Sequence, residues 1–288
     1  MKKTEFGPAG NSVSFYEDGK KSTLQAFGWL EEKGLDAYEY QGGKGIYASD
    51  ETLLAIGAKA AEHGISVSLH APYYISLSSV EEEKRANSVN YIITSASASD
   101  LLGAKIFVVH SGSASGADRE DAMKRAESTL YNAAQALEDG GYIARAGLET
   151  MGKINQLGTL EEVIRLCRIS EKHFRPVVDF GHLNARTLGG IKTADDYKRI
   201  FDTISRELGA DRADGLHCHF SKIEYTKMGE KKHLTFEDTE YGPSYEQFIE
   251  AIVSLGVHPT VICESDGTMA EDALSMKRLY ERETEKNK

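Results

Sequence analysis

The chain has 288 residues, of which 40% are hydrophobic and 27% charged, the profile of a globular protein with apolar material for a large core. Collagen-like, disordered and disulfide-scaffold chains are excluded, and no apolar run approaches the ~20 residues that span a membrane. With 34 Lys and Arg against 45 Asp and Glu, the formal charge is −11, so the chain lacks the cation excess on which non-specific nucleic-acid binding depends. A local basic surface or bound divalent metals can still reverse the sign at one site. The opening MKKTEFGPAG has two lysines and no apolar stretch behind them, unlike a signal peptide. Cys167, Cys218 and Cys263 are widely spaced and form no CxxC pair, which suggests neither a cysteine metal site nor a disulfide framework. A reducing cytoplasm fits them best.

In chain order, β-rich runs at 3–7, 36–40, 66–70, 106–110, 146–150, 176–179, 215–219 and 260–264 predict eight strands. Apolar residues at three- and four-residue spacing predict helices between them at 23–33, 51–63, 83–102, 119–139, 160–172, 194–208, 245–255 and 270–282. Glycines at 34, 64, 103, 209 and 256 stand where helices should stop, because glycine accepts the left-handed conformation of a C-cap. Strands alternating with helices imply parallel pairing. Eight units imply an α/β fold of one domain over residues 1–288, a (β/α)8 TIM barrel. The other topology, an open doubly wound sheet, lacks support, since no GxGxxG follows the first strand. The last run, 281–288, predicts a solvated helix end or tail.

In such a barrel the chemistry sits at the C-terminal ends of the strands. The predicted ends carry His70, His110, Glu149, Asp179 with His182 three residues on, His217 with His219, and Glu264. So many carboxylates and imidazoles meeting at one rim call for a cation to neutralise them. Mixed imidazole and carboxylate donors suit Zn2+, Mn2+ or Fe2+. Strand alternation turns Cys218 and Cys263 away from this rim, toward the helices. His217 and His219 share parity, so His219 is open to three roles: a second ligand, a partner of a ligand, or a packed core residue.

The ordered set resembles the endonuclease IV family of zinc-dependent apurinic/apyrimidinic endonucleases, within the xylose-isomerase-like barrels. The pieces that carry it are His70-Ala71-Pro72-Tyr73 with Ile75-Ser76-Leu77, Val109-His110, Leu148-Glu149-Thr150, Asp179-Phe180-Gly181-His182, Leu216-His217 with Ser221-Lys222, and Cys263-Glu264. The resemblance implies two or three zinc ions. His70, His110 and Glu149 would hold one. Glu149, Asp179, His217 and Glu264 would hold a second, with Glu149 bridging and orienting the attacking water. His182 and His233 would help to hold a third.

Two departures stand out. The family usually has Asp-x-His in the loop after strand 7, and here Lys231 precedes Lys232-His233. Glu230 or Glu237 is a possible substitute, and Lys231 a possible phosphate contact. The loop after strand 2, Gln41 to Tyr47, is glycine-rich with one lysine, where the family usually carries basic and aromatic residues that enter the minor groove; it reads as a surface loop. Tyr73 matches a DNA-contacting position. The function expected from the resemblance is hydrolysis of damaged duplex DNA 5′ to abasic sites, with no membrane and no obligatory protein partner. The alternative is a sugar isomerase or epimerase of the same superfamily, with Glu149 and Glu264 as paired acid and base. A non-catalytic metal- or partner-binding barrel is the third reading, and no surface motif supports it.

Overall fold

In the computed structural model, which describes residues 2–114 and 118–286, eight parallel strands share one sheet. They are β1 (Glu5–Pro8), β2 (Ala37–Gln41), β3 (Ser66–His70), β4 (Ile106–His110), β5 (Arg145–Glu149), β6 (Phe174–Asp179), β7 (His217–Phe220) and β10 (Thr260–Cys263). An antiparallel hairpin, β8 (Lys222–Thr226) and β9 (Gly229–Leu234), stands between the last two. The sheet order is β1-β10-β7-β6-β5-β4-β3-β2. Its two edges meet: Ala9 bridges Glu39, the Asp36 amide donates to Phe6 O at 2.9 Å, and the Gly10 amide donates to Glu39 O at 3.0 Å. The fold is the expected TIM barrel.

Around it run α1 (Val13–Glu17), α2 (Ala26–Lys33), α3 (Asp50–Glu62), α4 (Glu82–Leu102), α5 (Arg119–Gly140), α6 (Leu160–Cys167), α7 (Phe180–Arg186), α8 (Ala194–Leu208), α9 (Ala210–Asp214), α10 (Tyr245–Leu255) and α11 (Met269–Lys286). Gly34, Gly103 and Gly256 cap α2, α4 and α10 in the left-handed conformation that the sequence implied. Three departures bear on the site. The helix predicted at 160–172 stops at Cys167. The short helix α9 fills the residues before β7, which begins at His217 and runs to Phe220 rather than over 215–219. The short α1 and α7 and the β8–β9 hairpin had no clear periodicity to announce them.

Outward side chains of the strands, among them Phe107, Leu148, Val178, Phe220 and Val261, are fully buried against the helices. Phe248 of α10 lies between Phe180 and Phe220, with ring centroids 4.9 and 5.4 Å away. Each such ring contributes about 1.5–3 kcal/mol by leaving water, which fixes α7 and α10 against β7. Cys218 and Cys263 are buried on this outer side, Cys263 Sγ 3.6 Å from Met276 Sδ of α11, so the parity argument for them holds. Among the described residues no helix is long and apolar enough to cross a membrane.

Candidate metal centre

Inward side chains alternate with the outward ones along each strand. At the C-terminal ends they are polar. In register, Glu149 stands opposite His110, and Asp179 opposite His219. His217 lies one level lower, opposite Val177. This register sorts the predicted residues into three adjoining groups, the donor atoms of each within 4.8 Å of one another: His70, His110 and Glu149; Glu149, Asp179, His219 and Glu264; and His182, Glu230 and His233; His70, His219 and Glu264 also meet, across the first two. Glu149 belongs to the first two. His217 is in none of them. It sits beneath, where Glu39, His217 and His219 meet.

Local structure aims each donor. Asp179 ends β6 and caps α7, its Oδ1 accepting from the His182 amide at 2.7 Å. One helical turn then brings His182 back over the same rim. Its Nδ1 lies 3.0 Å from Thr150 O, which leaves Nε2 toward Glu230, 3.5 Å from its Oε2. His70 Nδ1 lies 2.9 Å from Ala71 O, leaving Nε2 toward Glu149. His233 Nδ1 lies 2.8 Å from Ser221 Oγ. His219 Nε2 donates to Glu39 Oε2 at 3.3 Å, while its Nδ1 lies 2.9 Å from Glu149 Oε1 and 3.4 Å from Glu264 Oε1. Four imidazoles thus have one nitrogen anchored and the other turned into the cluster, the arrangement that orients metal-binding histidines.

The third group depends on the hairpin. Between Glu224 and Tyr225 the β8–β9 register shifts: Glu224 faces Lys232, Tyr225 faces Glu230, and Lys231 is the extra residue. A bulge of this kind reverses which side chains face each side of the strand. Glu230 therefore joins His182 and His233, while Lys231 turns away to pair with Glu224. The close approach of two glycines seats the hairpin. The Glu230 amide donates to Gly152 O at 3.1 Å, and a Cβ on Gly229 would lie 2.2 Å from that same oxygen. Arg186 of α7 holds the adjoining loop through the carbonyls of Met151, Lys153, Ile154 and Gln156.

Electrostatics divides the carboxyl groups. Burial alone would raise Glu149, but His219, His70 and His182 outweigh it and hold the carboxyl well below the usual range. Glu39 is held low in the same way by His219 and His217. Burial pushes Glu264 up, and the Glu149 and Asp179 carboxylates add to the rise. Burial pulls His110 down to about 4. His70 and His182 resist burial through their carboxylates, Glu149 for the first and Asp179 and Glu149 for the second, and rise to about 9.

The donor set fits metal ions. Glu149 and Asp179 are fully buried, yet Glu149 Oε2 and Asp179 Oδ2 accept no hydrogen bond. Unpartnered buried carboxylate oxygens are costly without a cation. Of the predicted substrate contacts, Tyr73 is 61% exposed beside the 42–47 loop, to which its amide is tied through Gly43 O. Lys231 is absent from the cavity of about 460 Å³ at the barrel mouth, which is lined instead by Gln41, Lys232, His233, Glu264 and Asp266 among others. Glu39 escaped the reading of strand ends because it lies in mid-strand. A lone carboxylate between Tyr38 and Tyr40 was the available signal.

A family model described as a xylose isomerase-like TIM barrel matches residues 27–281. An uncharacterized protein of Methanocaldococcus jannaschii is 32% identical over 277 residues, 96% of each chain. A protein named Probable endonuclease 4 from Shouchella clausii is 26% identical over 201 residues, 66% of this chain and 67% of its own. Among solved structures, endonuclease IV from Thermus thermophilus matches with a TM-score of 0.71 at 18% identity, over 98% of this chain and 99% of that one. A D-tagatose 3-epimerase-like protein reaches the same TM-score, 0.71, at 19% identity over 99% of both chains. These two show a shared fold, which does not by itself fix a chemistry. The match across the barrel and the relative spanning nearly its whole length place the chain in the family of xylose isomerase-like TIM barrels, as a divergent member with homology to endonuclease IV.

Proposed function

We propose that this protein is a metal-dependent phosphodiesterase that hydrolyses duplex DNA 5′ to abasic sites. The observation that carries the reading is the presence of three adjoining donor groups rather than one. His70, His110 and Glu149 would hold one ion, Glu149, Asp179, His219 and Glu264 a second, and His182, Glu230 and His233 a third. Zinc there, or manganese or iron(II) on the same donors, would supply a Lewis acid for phosphate oxygens and a hydroxide near neutral pH. Glu149, shared by two groups, orients the attacking water. Glu39 keeps the His219 ring turned toward the cluster. Tyr73 and the 42–47 loop meet the duplex beside the missing base, where flipping the sugar costs little stacking. Damaged duplex DNA is the partner, no second protein is required, and the buried thiols suit a reducing cytoplasm.

A second reading has its own support. Lys231 and Lys232 are taken by Glu224 and Asp266 rather than offered to a phosphate backbone. The four-donor group alone would serve an isomerase or epimerase acting on a sugar. Glu149 held low and Glu264 raised then make a base and an acid for neighbouring carbons.

Cleavage of an oligonucleotide duplex with one abasic site, by zinc-replete protein, separates the two. Cutting 5′ to the lesion that is lost with chelator and in Glu149→Ala is the expected result. No cutting by protein holding about three metal equivalents overturns the endonuclease reading. Epimerisation of a ketose by protein holding one equivalent establishes the other.

A further inference from the structure

The opposite end of the barrel carries a feature that the metal centre does not use. At the N-terminal ends of β4 to β7 lies a cavity of about 280 Å³. Lys105 stands just before β4, Arg145 opens β5, Arg175 is the second residue of β6, and Arg212 comes from α9; all four line this cavity. Asp211 is the carboxylate that shares the lining, and His217 forms part of its inner wall. Among the described residues none of the four cations forms an ion pair. Arg175 Nη1 donates to the carbonyls of Glu171 and Phe174, and Arg212 Nη2 to Glu171 O at 2.9 Å. Arg212 is only 7% exposed, and its Nη1 has no hydrogen-bond partner.

Like charges gathered in one concavity repel unless an anion lies among them. Here they gather in a chain whose formal charge is −11, so the patch runs against the field of the molecule. Burial, with Arg145 and Arg212 adding to it, already lowers the Arg175 guanidinium from its ordinary value. A guanidinium with a free Nη is the group that grips an oxyanion by charge-assisted hydrogen bonds.

We infer that this closed-end cavity is an anion site that takes the phosphoryl group of inorganic phosphate or of a small phosphorylated molecule, held by Arg145, Arg175, Arg212 and Lys105. The site lies at the opposite end of the barrel from the mouth, with His217 between it and Glu39, and its occupant need not be a substrate. A bound anion there would bridge the starts of four neighbouring strands.

Calorimetric titration of the chelator-treated full chain tests this apart from the metal centre. Inorganic phosphate and glucose 6-phosphate are the two probes, with sodium chloride matched for ionic strength as the control. One equivalent of either probe should bind, and binding should weaken about tenfold or more in Arg145→Met and in Lys105→Met, each of which removes one charge-assisted contact. Both substituted residues are exposed, so these variants keep the fold. Lys231→Met, at the other end, should bind as the parent does. Tighter binding of glucose 6-phosphate assigns the site to a phosphorylated molecule, and tighter binding of phosphate assigns it to the free ion. Absence of heat beyond the chloride control, or equal binding in both cavity variants, overturns the inference.

Discussion

Glu39 lies between Tyr38 and Tyr40 with none of its surface exposed. Its Oε2 accepts from Ser68 Oγ at 2.8 Å, from His217 Nε2 at 3.0 Å and from His219 Nε2 at 3.3 Å. A carboxylate behind a histidine fixes the tautomer and the tilt of the ring, and removing such a partner typically costs 10–100-fold in metal affinity. Under the proposed function, Glu39→Gln should weaken zinc at the four-donor group by about 10–100-fold and leave the His182 group unaffected. Competition against a chromophoric chelator reads both, and an unchanged affinity would remove Glu39 from the site. This residue and His219 mark the limit of what spacing reveals. The strand ends brought His70, His110, Glu149, Asp179, His182 and Glu264 to one rim, the resemblance added His233, and the structure brings these residues together there. The resemblance gave His217 to the second group and left the role of His219 open, whereas the structure puts His219 in that group and His217 beneath it; the two have the same parity. The choice is one of level, and level is set by pairing with β6, where Asp179 stands opposite His219 and Val177 opposite His217.

The β8–β9 hairpin shows the same limit for an element. Counting residues puts Lys231 where an aspartate is expected, and in an unbroken strand it would share the face of His233. The register shift makes Lys231 the extra residue and gives Glu230 that face. No property of Gly229-Glu230-Lys231-Lys232-His233 announces a bulge, because the cause lies elsewhere in the chain. The loop held by Arg186 fixes Gly152, and Gly152 fixes the start of β9. The substitutions that test this run opposite to a residue count. Glu230→Gln should lose about one metal equivalent, since a carboxylate ligand is replaced by a neutral amide. Lys231→Asp should leave occupancy unchanged, because its side chain points toward Glu224. Metal analysis of the two variants decides it. An equivalent gained by Lys231→Asp and none lost by Glu230→Gln would mean that the strand pairs without the bulge when metal is bound.

For the whole molecule, the barrel was legible because each βα unit declares itself locally, by a β-rich run, an amphipathic helix and a stop at glycine. The three groups at its mouth depend on how eight such units come into register, which no local window contains. Closing the barrel also places Glu39, Glu149 and Asp179 at full burial among five histidines. Withdrawing charges from water costs several kcal/mol per ion even where partners are near, and the helix-on-sheet packing outside the barrel must offset it. Ions that bind the folded state alone return part of that cost, about 2.7 kcal/mol for a site at a hundredfold excess over its Kd. Since about 1 kcal/mol moves Tm by roughly 2–4 °C in a chain approaching this size, zinc-replete protein should melt roughly 5–10 °C above chelator-treated protein for each group filled independently. Glu149→Gln, which weakens two groups at once, should show a smaller gain than the parent. Scanning calorimetry with and without zinc measures both. A Tm that zinc does not move would mean that the buried carboxylates are balanced by protonated imidazoles alone, and that the proposed centre is a packed polar core.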